Sequence, residues 1–103
     1  MSYKINITDS AENDIDSIID YIVNELCNNS AALSLIASFD EKYEYLSENP
    51  YAYEESRHGT LRYRGYRRIV IDNYILLYLV DADNLIITIA RVFYGKQDYQ
   101  NCI

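Results

Sequence analysis

The N-terminal residues Tyr3, Ile5 and Ile7 alternate with Lys4, Asn6 and Thr8. That period of two predicts a short strand with one buried face. Thr8, Asp9 and Ser10 then offer capping oxygens, with Glu12 three residues after Asp9, and the period lengthens. Ala11, Ile15, Ile18, Ile19, Ile22, Val23 and Leu26 trace one stripe of a 3.6-residue helix, with Asp14, Asp16, Asp20 and Glu25 mostly off it. Asn28, Asn29 and Ser30 supply a turn and a second cap. Ala32, Leu35, Ile36, Phe39, Tyr43 and Leu46 form the stripe of a second helix, which Asn49-Pro50 stops. So short a connection predicts an antiparallel helix hairpin.

Residues 51–60 read as a loop, packed down by Tyr51 and Tyr53 and turned by Gly59. A strand is predicted over 61–71 and a tight turn at Asp72-Asn73. Tyr74 to Val80 is nearly all apolar, the pattern of a central strand. After a turn at 81–84, a last strand runs to Tyr94, with Leu85, Ile87, Ile89 and, by the same alternation, Arg91 on one face. The order is β-α-α-β-β-β. It predicts an α+β fold in which the helix hairpin covers one face of a mainly antiparallel four-stranded sheet. The other face would be a concave working surface holding part of the basic stretch.

With 103 residues, the chain suits a single domain spanning 1–103. MSYKINITDS lacks the basic and apolar regions of a signal peptide. No apolar run approaches the roughly 18–20 residues of a membrane span. The expectation is a cytoplasmic protein with no membrane partner. Cys27 and Cys102 lie far apart, without CxxC spacing, beside a single histidine. That points to reduced thiols and no metal. No phosphate loop or nucleophile elbow is present, so no cofactor is expected.

Charge changes the picture. The net charge is −7, yet residues 1–55 carry twelve Asp/Glu against two Lys, and residues 56–103 carry seven Lys/Arg against four Asp. Five arginines fall within RHGTLRYRGYRR, Arg57 to Arg68. Overall acidity opposes non-specific nucleic-acid binding. A local basic patch still acts, because exposed charges beyond about 8 Å are screened at physiological salt.

Three stretches carry a family resemblance: KINITDSAENDIDSIIDYI, LSENPYAYE and YRRIVIDNYILLYLVDADNLIITIARVFYGKQDY. In this order and spacing they resemble the RelE/ParE superfamily of bacterial toxins from type II toxin–antitoxin modules. The resemblance implies a growth-inhibiting toxin of a plasmid-stabilisation module, silenced by a cognate antitoxin. It also implies one of two activities. RelE-like members cleave mRNA in the ribosomal A site, and ParE-like members block DNA gyrase without being nucleases.

For the first activity, cleavage by the 2′-hydroxyl needs a base, a cation for the phosphorane and an acid. The candidates are Arg67 or Arg68 with Arg91 for phosphate, and Tyr94 or Tyr99 for proton transfer. Arg57, Arg62, Arg64 and Lys96 would form an RNA-facing edge, because arginine neutralises phosphate while tyrosine rings stack on bases. On a strand, Arg62 and Arg64 would share a face, and Arg67 and Arg68 would part. The bland reading pairs these arginines with Glu44, Glu48, Glu54 or Glu55, or with an acidic antitoxin segment. His58, the lone histidine, reads as an exposed loop residue. Phe93 and Ile75 stand where YoeB-like relatives place a catalytic histidine and arginine. These departures leave open a gyrase inhibitor, or a weakly toxic antitoxin-binding domain. The expectation favours a ribosome-dependent mRNA endonuclease.

Overall fold

The computed structural model describes residues 2–56 and 59–95. Strand β1, Lys4–Ile7, ends at Thr8, whose hydroxyl oxygen accepts from the Ala11 N–H at 3.1 Å and so caps helix α1, Asp9–Asn24. Asn28 does the same for helix α2, Asn29–Glu48, accepting from the Ala31 N–H at 3.0 Å. The two amphipathic stripes therefore lie side by side on one face of the sheet, as the sequence predicts.

The basic stretch departs from its predicted strand. Gly59–Tyr63 is a five-residue helix, α3. It ends in a Schellman motif: the Tyr66 N–H donates to Leu61 O and the Gly65 N–H to Arg62 O, with Gly65 at φ 88°. Leu61 and Tyr66 make the apolar contact that accompanies such an ending. The strand, β2, covers only Arg67–Ile71.

Strand β3, Tyr74–Asp81, pairs antiparallel with β2 and with β4, Ile86–Tyr94. Strand β1 pairs with β4 in parallel, so the spatial order is β1-β4-β3-β2. Leu85 takes φ 56° and belongs to the preceding turn. A bulge interrupts β4: Leu77 pairs with Arg91 and Tyr78 with Ile89, leaving Ala90 as the extra residue. The alternation is thereby reset, and Arg91 turns to the face opposite Ile87 and Ile89.

Ala11, Ile22, Ala32, Leu35, Phe39 and Leu46 bury Ile69, Ile71, Leu76, Tyr78, Ile87, Ile89 and Val92 beneath the helices. On the other face, Ile75, Leu77 and Phe93 are covered by Leu61 and Tyr66. Among the described residues, no helix is long and apolar enough to cross a membrane, and no three potential metal ligands cluster.

Candidate functional site

Arg68 pairs with Leu77, and Leu77 with Arg91. Residues paired across a sheet share a face, so the two arginines flank Leu77 in one row on the side away from α1 and α2. The structure thus brings together two of the five candidate catalytic residues.

Both arginines are matched by carboxylates. The Arg68 Nε donates to Glu54 Oε1 at 3.2 Å, and its side chain is only 14% exposed. Arg91 grips Asp14 with a fork: Nε to Oδ2 at 2.8 Å and Nη2 to Oδ1 at 3.1 Å. Its guanidinium carbon lies 4.9 Å from the centre of the Phe93 ring. Asp14 Oδ2 also accepts from the Val92 N–H at 3.0 Å. The pairing of β1 with β4 stops at Ile89, and from there the start of α1 takes over the edge. The Thr8 hydroxyl donates toward the carbonyls of Ile89 and Ala90, and Asp14 receives the next free N–H. Asp14 therefore finishes the sheet edge and holds Arg91 at the same time.

Arg67 faces the other way, opposite Tyr78. Its Nη1 donates to the Tyr53 carbonyl at 2.8 Å, and its guanidinium sits 5.0 Å from the Tyr51 ring. It clamps the segment after α2 onto the sheet. The Tyr78 hydroxyl, which donates to Pro50 O at 3.2 Å, does the same from the core. Burial pushes that phenol up to about 12, and nearby Arg67 only partly offsets the rise.

Arg62 lies on α3 with its Nε 3.8 Å from Glu55. Arg64 follows α3 and is exposed. Because this segment is a helix and its ending, the alternation expected of Arg62 and Arg64 does not hold. A shallow basin of about 510 Å³ is lined by Tyr51, Glu54, Ser56, Arg62 and Arg67 among others, so its cations and anions are mixed.

Tyr94 pairs with Tyr74, its ring 6.0 Å away and edge-on at 71°. It lies at the end of the sheet, on the face opposite Arg68 and Arg91. Arg57, His58, Lys96 and Tyr99 lie outside the described residues. Glu54 was among the partners anticipated for the arginines, whereas Asp14 was not. The signal for Asp14 was its spacing, three residues after Ala11 and four before Ile18, which puts it on the apolar stripe and not off it as expected. A carboxylate on an apolar stripe requires a cation beneath it.

The arrangement is a pair of compensated guanidinium groups on either side of the buried Leu77. The sequence pattern described as ParE toxin of type II toxin-antitoxin system, parDE, matches residues 5–99. Among solved structures, the chain is similar to the chromosomal ParDE toxin–antitoxin system of P. aeruginosa, at 21% identity and TM-score 0.71 over 92% of this chain and 98% of that one. It is similar to the RelBE2 toxin–antitoxin complex of Mycobacterium tuberculosis, at 20% identity and TM-score 0.58 over 91% and 99%. A double mutant of the E. coli toxin RelE in the free state aligns at 13% identity and TM-score 0.68 over 99% and 93%. At these identities the shared property is the fold. No match is found among curated proteins.

Proposed function

The chain belongs to the ParE toxin family of type II toxin–antitoxin systems, and from that premise we propose that it arrests growth by binding and blocking DNA gyrase, as a non-enzymatic inhibitor silenced by a cognate antitoxin. One observation carries this reading. The arginines of the open face, Arg68 and Arg91, already hold carboxylates of their own chain. A phosphorane would have to displace Asp14 from a two-point, half-buried pairing that also serves the sheet edge, and that displacement leaves a backbone N–H unsatisfied. Charge already compensated within the chain suits a protein surface better than a scissile phosphate. The similarity to ParDE and RelBE2 assemblies supports an antitoxin partner.

The test uses purified, antitoxin-free protein in two reactions: gyrase supercoiling of a relaxed plasmid, and reconstituted translation with mapping of mRNA 5′ ends. Inhibited supercoiling with unchanged mRNA ends is expected. New ends at A-site codons, lost in an Arg68→Ala/Arg91→Ala variant, would overturn the reading.

A second reading, ribosome-dependent mRNA cleavage, draws on the placement of Arg68 and Arg91 in one row. There a contacting phosphate would take over from Glu54 and Asp14, and proton transfer would fall to Tyr99 rather than Tyr94. The same pair of reactions separates the two.

A further inference from the structure

At the end of the sheet where β4 finishes, Tyr74 and Tyr94 form a shared wall between two hollows. The first, about 370 Å³, lies between that wall and Ser17, Ile18 and Tyr21 of α1. The second, about 240 Å³, lies between it and Val70, Asp72 and Gly95. The cleft is open to solvent: Tyr21 of the first hollow is 55% exposed, Tyr94 of the wall 45%, and Val70 of the second hollow is exposed as well. So much aromatic carbon left at one end of a small domain marks an interaction surface.

The electrostatics are one-sided. Among the described residues, neither hollow is lined by a Lys or Arg. Asp72 lines the second, and exposed Asp20, on α1, and Glu25, just past its end, lie one residue before and four after Tyr21. Burial raises the Tyr74 phenol, and Tyr94, Tyr21 and Asp72 each raise it further, so the four groups share one electrostatic neighbourhood.

We propose that this two-lobed tyrosine cleft docks a basic segment of a partner polypeptide. An aliphatic side chain enters the lobe formed with Ile18 and Tyr21, and an adjacent Arg or Lys lies against Tyr74, Tyr94 and Asp72. Aromatic faces attract a cation through their quadrupoles, and the carboxylate supplies the counter-charge. The surplus of ten negative charges in residues 1–55 steers such a segment toward α1. A nucleic acid is repelled by the same carboxylates. A second copy of this chain is repelled by a net charge of −7. Tyr74 and Tyr94 lie on the opposite face from Arg68 and Arg91, while the second lobe reaches round the end of the sheet to Val70 and Ile75.

The probe is acetyl-Leu-Arg-Leu-Arg-Leu-amide, titrated into the full chain while tyrosine ring resonances are followed by NMR. Its counterpart carries citrulline for arginine, which keeps the shape and removes the charge. Saturable shifts at Tyr21, Tyr74 and Tyr94 are expected, weakened by added salt, with the citrulline peptide binding about tenfold more weakly. Tyr21→Ala and Asp72→Asn should each weaken the arginine peptide about three- to tenfold. Both positions are exposed, and Asn tolerates the φ of 53° at residue 72, so unchanged circular dichroism should accompany the loss. Equal binding of the two peptides would reduce the cleft to a generic apolar patch. Shifts confined to the acidic side of α2 would assign the binding to bulk charge, and no shift up to the millimolar range would overturn the proposal outright.

Discussion

Two long helices close one face of the sheet, and among the described residues one leucine with one tyrosine covers the other. Beneath α1 and α2 the core is continuous from Ala11 to Val92, and its members come from nearly every element. On the opposite side, Ile75, Leu77 and Phe93 rely on Leu61, carried by a five-residue helix, and on Tyr66. So short a helix has no independent stability and holds its place by its Schellman ending and that one apolar contact. The ion pairs of Arg68 and Arg91 stand on this thinner side. A domain built this way can rearrange the thinner face while the helix-covered face stays intact.

The widest expected gap between the faces is at alkaline pH. Tyr43 and Tyr78 both belong to the helix-covered side, and burial pushes each up to about 12. The unfolded chain releases these protons near 10, whereas the folded chain keeps them. Their contribution to stability is complete below about pH 10 and is lost as pH rises toward 12. Helical circular dichroism should disappear in step with the last tyrosinate absorbance. Ionisation of all phenols with the helices intact would mean that this face is far looser than described.

Core truncation compares the faces directly. Leu76→Ala, beneath the helices, should cost about 2–5 kcal/mol in urea unfolding. Leu61→Ala should cost less globally, about 2 kcal/mol, because α3 can detach while the sheet persists. Its signature is lost hydrogen-exchange protection at Gly65 and Tyr66 with α2 still protected. Equal global costs would show that the two faces unfold as one.

The Asp14 pairing joins the faces at the sheet edge. Asp14→Ala should cost about 1–3 kcal/mol, since it strands the Val92 N–H and a half-buried guanidinium. A double-mutant cycle with Arg91→Met should return a positive coupling, and additive effects would remove the pair from the account. Glu54→Gln sits lowest. Its carboxylate is mostly exposed, so thermal melting should shift by no more than about 1 kcal/mol in equivalent stability.

The helix hairpin was legible because many residues repeat one period, the central strand because it is one apolar run, and the turn because Asp72-Asn73 is a tight-turn pair. The segment 61–66 was misread because Leu61 and Tyr63 offer only two points of alternation, and Tyr63 proves 93% exposed on α3, while 67–71 is the strand expected. Gly65 was the informative residue: its positive φ ends a helix, and no strand needs it. The bulge at Ala90 leaves no local mark, yet it decides the face of Arg91. Arg67, Arg68 and Arg91 lie on strands as expected, whereas Arg62 and Arg64 do not. Their partners depended on tertiary placement, which brings residues 14 and 91 together across the whole chain. The separation of Tyr94 from Arg68 likewise follows from register, which one sequence does not display.

The parallel pairing of β1 with β4 also governs when the molecule comes into being. Lys4 meets Ile86, so the first strand waits for about eighty further residues before it has a neighbour. At ribosomal speeds of roughly 5–20 residues per second, the nascent helices spend several seconds with their apolar stripes uncovered. The completed fold, and any toxicity that depends on it, therefore arises only as the last strand emerges. Until then the apolar stripes of the helices stay open to any partner present during synthesis.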